Sequence, residues 1–65
     1  MSTHEDFCRT RAAEARADAD AAALANVRDR CLRAAAAWDV MADRAHRTDR
    51  LRADQELRKA ALADH

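Results

Sequence analysis

Small and apolar residues recur along the chain at helical spacing in two separate runs. The first is Cys8, Ala12, Ala15, Ala19 and Ala22, spaced 4-3-4-3, with Phe7 flanking it. The second is Leu24, Val27, Cys31, Ala34, Trp38, Met41, Ala45 and Thr48, spaced 3-4-3-4-3-4-3, widened by Leu32, Ala35 and Ala42. No charged residue falls on either stripe, so each describes one face of an amphipathic helix. The stripes are out of phase: extending the first leads to Asn26, Asp29, Arg33 and Ala36. At 3.6 residues per turn the offset is roughly 200°, so one straight helix would present them on opposite sides. A break near Leu24–Asn26 removes the conflict.

The pattern therefore predicts an all-α fold, an antiparallel two-helix hairpin with helices over about 3–23 and 26–48. Ser2 with Glu5, or Thr3 with Asp6, reads as a capping box opening the first helix. Asn26 is suited to cap the second, and Asp29 favours its first turn. The turn lacks the glycine that usually closes a helix. After Thr48 the second stripe gives way to Arg52, Gln55, Lys59 and Leu62. Residues 49–65 keep helical composition and pairs such as Asp54–Arg58 at i,i+4. They either extend the second helix into solvent or form a short third helix from Thr48. The favoured reading is a solvated, partly frayed, charged helical tail. Leu51, Leu57 and Leu62 do not share one face, which argues against a groove-binding helix.

Composition limits what such a chain can do. Of its 65 residues 19 are alanine, leaving 13 larger apolar side chains. A domain this small buries only about 60% of its unfolded surface, and its burial and ordering terms nearly cancel. An enzyme with a deep pocket is excluded in practice, so no catalytic residues are expected. Gly 0 and Pro 0 exclude Gly-rich phosphate loops and turn-dense β folds. Alanine packed on alanine buries little area, whereas pairing two hairpins would bury Val27, Leu32, Trp38 and Met41. These four are the candidate interface, with Trp38 at the centre of a helical stripe. A homodimer forming a four-helix bundle is the expected assembly, and a further protein partner is left open.

From Phe7 onward a longer pattern runs Phe7-x3-Arg11-Ala12-x-Glu14, then Val27-Arg28, then Leu32-x2-Ala35-x2-Trp38-x2-Met41-Ala42. It is similar to a group of small uncharacterised Ala/Arg-rich bacterial proteins over residues 7–45. Trp38 and its flanking spacing are the most specific part. The group often carries an acidic-Pro turn where this chain has Leu24-Ala25-Asn26. The resemblance implies a helical hairpin and implies no activity.

Charge changes the picture little. Twelve basic and twelve acidic residues cancel, so no single-sign field draws the chain to nucleic acid or an anionic membrane. Arg44, Arg47, Arg50 and Arg52 form the one basic cluster, but Asp43, Asp49 and Asp54 interleave with it. No aromatic lies there to stack bases, so a nucleic-acid-associated accessory role is only an alternative. Asp18/Asp20 and Asp39/Asp43 read as solvated charge faces. No apolar run approaches the length of a membrane span, and the start lacks signal-peptide character. A cytoplasmic protein with Cys8 and Cys31 as free thiols is expected; the two are too far apart along the hairpin for a disulfide.

One constellation carries chemistry. In a hairpin turning near residue 25, His4 lies opposite His46 and Cys8 opposite Ala42. His4 and Cys8 are i,i+4 neighbours, so His4, Cys8 and His46 converge at the open end, with Asp43 or Glu5 as a fourth group. Zinc accepts such a Cys/His/carboxylate set, giving the alternative of a metal- or redox-responsive protein. The plain reading of the same residues is a solvated terminus, with no cofactor.

Overall fold

The computed structural model describes residues 3–63. Two helices account for nearly all of them, α1 (Thr3–Ala21) and α2 (Ala25–Ala63), and no strand occurs among the described residues. Glu5 meets His46, Arg9 meets Asp43 and Arg16 meets Asp39. Partner numbers fall along α2 as they rise along α1, so the helices lie side by side and run in opposite directions.

The expected break is present, but its chemistry differs. Leu24, not Asn26, stands at the start of α2: its carbonyl accepts the first helical hydrogen bond, from the Arg28 amide at 3.0 Å. Asn26 lies inside the helix and is exposed. At the other side of the turn the Ala22 amide bonds back to the Ala19 carbonyl at 3.2 Å, tightening the last turn of α1. The Arg28 guanidinium then donates to the Ala22 carbonyl at 3.3 Å. A cation thus stands where a helix C-terminus presents unpaired carbonyls. No described residue has positive φ, which is why the turn closes without glycine.

The first stripe matches the inward face of α1: Cys8, Ala12 and Ala19 are buried, Ala15 and Ala22 half-buried. On α2 the inward line is rotated from the expected one. Ala35, Ala42 and Ala45 are buried, whereas Ala34 and Thr48 are exposed. Thr48 donates to the carbonyl of Arg44, one turn back, at 3.0 Å. Charge explains the rotation: it carries Asp39 and Asp43 round to meet Arg16 and Arg9 on α1.

The larger correction is length. The second helix does not stop near Thr48; α2 runs unbroken for 39 residues, roughly 58 Å, and sets the 63 Å long dimension of the molecule. Of the two arrangements open for residues 49–65, an onward extension rather than a third helix is present through Ala63. Every residue from 50 to 63 is exposed, because α1 begins opposite the middle of α2 and no other described element packs on them.

Candidate functional site

The line where the helices meet divides the surface into two unlike flanks. One is ionic: Arg9 approaches Asp43 at 3.5 Å, and Arg16 donates to Asp39. These are exposed pairs, of more use in setting register than in stabilising the fold. From spacing alone Asp39 and Asp43 read as solvated charges. Only the facing helix reveals their partners.

The opposite flank is apolar. Phe7 and Trp38 meet edge to face, with centroids 5.7 Å apart and planes at 84°, an arrangement that suits the ring quadrupoles. Arg11 lies over the outer face of Phe7 at 5.2 Å and is tethered to Glu14 at 3.3 Å. A shallow groove of about 280 Å³ runs between Phe7, Ala15 and Trp38, with Arg11, Glu14 and Asp18 at its rim. Phe7 remains 47% exposed although it has an aromatic partner.

Of the four expected interface residues, three belong together. Val27, Trp38 and Met41 are half-buried and lie within about 60° of one another around α2. Leu32 is 46% exposed and sits about 120° from Trp38, on the side of Asp39. It therefore does not share their flank.

At the open end the expected ligands divide into two pairs. The Cys8 Sγ lies 3.9 Å from the His4 Nε2, and the His46 Nδ1 lies 3.2 Å from the Glu5 carboxylate. Among the described residues no three His, Cys, Asp or Glu side chains are grouped to hold a metal ion. The physical reason is register. His46 stands opposite Glu5 rather than His4, and Cys8 points into the helix contact, where it is fully buried. Both cysteines are free thiols.

Glu5 is the residue that sequence reading undervalued. It is the one buried charged side chain among the described residues, and it receives Arg9 Nε at 3.1 Å as well as His46. Burial alone would raise its carboxyl pKa, but hydrogen bonds and charge from Arg9 and His46 outweigh that and hold it below the ordinary value of 4.5. The first stripe begins at Cys8, and the same spacing carried back by three reaches Glu5. Arg9 follows it at i,i+4, but His46 lies 41 positions away and only the packing of the helices brings it there.

Beside this pair opens a cleft of about 380 Å³, lined by His4, Met41, Arg44, Ala45, Asp49 and Arg52 among others. The basic cluster is accordingly split: Arg44 and Arg52 border this cleft, while Arg47 and Arg50 flank Leu51 elsewhere on α2. Among the described residues no helix is long and apolar enough to cross a membrane. Comparison with known protein families, curated proteins and solved structures finds no match for this chain.

Proposed function

We propose that the chain is a helical hairpin that self-associates into a four-helix bundle and serves as a small, non-enzymatic interaction or scaffold module in the cytoplasm. The observation that carries this reading is an inversion of burial. The buried side chains among the described residues are five alanines, Cys8 and Glu5, whereas Phe7, Val27, Trp38 and Met41 are only partly covered. Alanine contacts supply close approach but little area. These four larger apolar side chains lie instead on one flank, around the Phe7–Trp38 contact. A second copy laid on that flank buries it from both sides, in the isologous arrangement most homodimers adopt.

Sedimentation equilibrium over a range of concentrations tests the reading. The parent is expected to exceed the mass of one chain, and Trp38→Ala to shift toward it. A parent that sediments as a single chain at every concentration removes the proposal.

A further inference from the structure

The exposed half of α2 continues the seam that its covered half uses to meet α1. Ala35, Trp38, Ala42 and Ala45 are spaced 3-4-3 on the inner side of α2. The same spacing runs on through Asp49, Arg52, Glu56, Lys59 and Ala63 as 4-3-4-3-4. A seam repeating every 3.5 residues is the a/d pattern of a coiled coil. The partner helix for the first half is α1. Opposite Arg52, Glu56 and Lys59 none lies among the described residues, and these three stand exposed. Seam positions are ordinarily apolar; here four successive ones carry charge in the order acidic, basic, acidic, basic.

That order has a symmetry. Read backwards it changes sign at every position, so a second copy running antiparallel presents the opposite charge at each step. Asp49 then faces the second copy's Lys59 and Arg52 its Glu56, with both pairs repeated across the dyad. A parallel copy in register would instead set like charges together at all four positions. The Oδ2 atom of Asp49 is buried yet has no hydrogen-bond partner among the described residues. Among the described residues Lys59 has only a 4.0 Å approach to its own neighbour Glu56, with side chains 76% and 77% exposed.

We infer that residues 49–59 of α2 are a second self-association surface whose occupant is the same segment of another copy, paired antiparallel about a two-fold axis near residue 54. The contact is distinct from the Phe7–Trp38 flank and does not depend on it. Charged seam positions fix register and orientation at a cost in stability, so this pairing is weak, specific and salt-sensitive. A chain with two isologous contacts forms dimers through the stronger and larger even-numbered assemblies as the weaker one fills. In this register the last turn, Ala60–Ala63, reaches the start of the second copy's α1 and is not required.

Two full-length variants test the pairing. Arg52→Glu with Lys59→Glu makes the seam wholly acidic; Asp49→Lys with Glu56→Lys makes it wholly basic. A third, Arg50→Glu with Arg58→Glu, puts the same added charge on the outward side. Circular dichroism first establishes that each is helical. Affinities are then measured between differently labelled chains at low and high salt. The acidic and basic variants are expected to bind each other about tenfold or more tightly than either binds itself, with the preference fading in high salt. The outward variant is expected to show no such gain with the basic one. Equal affinity in all pairings, or an equal gain for the outward variant, overturns the inference. The Phe7–Trp38 flank contributes alike to every pairing, so its own failure is read separately, from Trp38→Ala.

Discussion

The carboxylate of Glu5 and the Nδ1 of His46 meet at 3.2 Å across 41 positions of sequence, and Arg9 closes on the same carboxylate from one turn along α1. A single buried acid thus ties the beginning of α1 to the middle of α2. Removing its charge leaves a buried amide facing the Arg9 guanidinium and the His46 imidazole. Glu5→Gln is therefore expected to lower the melting temperature at neutral pH. Because the folded-state pKa of Glu5 lies below its ordinary 4.5, its contribution is fully present above that value and is lost as pH falls through the folded pKa. The gap in melting temperature between parent and variant should hold near neutrality and narrow in acid. A gap unchanged from pH 7 to pH 3 would show that the charge of Glu5 does not stabilise the fold.

Trp38 offers a second test, since it is half-buried in one chain. Truncating a fully enclosed tryptophan to alanine costs about 3–5 kcal/mol. Trp38→Ala is expected to approach that range at concentrations where chains associate, and to cost about half as much where they do not. Denaturant unfolding at several protein concentrations checks this. A loss independent of concentration would mean that nothing covers the outer half of the ring.

The extension can be removed without touching the α1 contact, because residues 50–63 are exposed throughout. A chain ending at Asp49 should melt within a few degrees of the parent at low concentration. In the intact protein, hydrogen exchange in dilute solution should be fastest across residues 50–63 and slow as concentration rises. Protection there in dilute solution would mean that the segment folds back on its own chain.

The two thiols should differ in reactivity. Cys8 is fully buried in the helix contact, whereas Cys31 is half-buried on α2. A thiol reagent is expected to modify Cys31 first and Cys8 only as the helices open. Added zinc should not raise the melting temperature in a way that depends on His46, because that side chain is engaged with Glu5. If His46→Ala and Cys8→Ala both abolish a zinc-dependent rise, the two pairs at the open end rearrange into a site.

Two helices, the break between them and the inner face of α1 follow from residue spacing alone, because small residues at 3–4 intervals can bury only one side of a helix. Cys8, Ala12 and Ala19 needed no further information. Rotation and register did not follow in the same way. Alanine is so frequent on α2 that Ala34 and Ala35 are equally fit to face inward, and the choice falls to Asp39 and Asp43, whose cationic partners sit on the other helix. The same cause moved His46 from His4 to Glu5 and parted the expected metal ligands. Leu32 widens the stripe of α2 in the sequence, and a widened stripe does not say which edge the neighbouring helix covers. The extent of α2 was legible as helical composition, but its isolation was not: that depends on where α1 begins, and only packing the two helices together sets it.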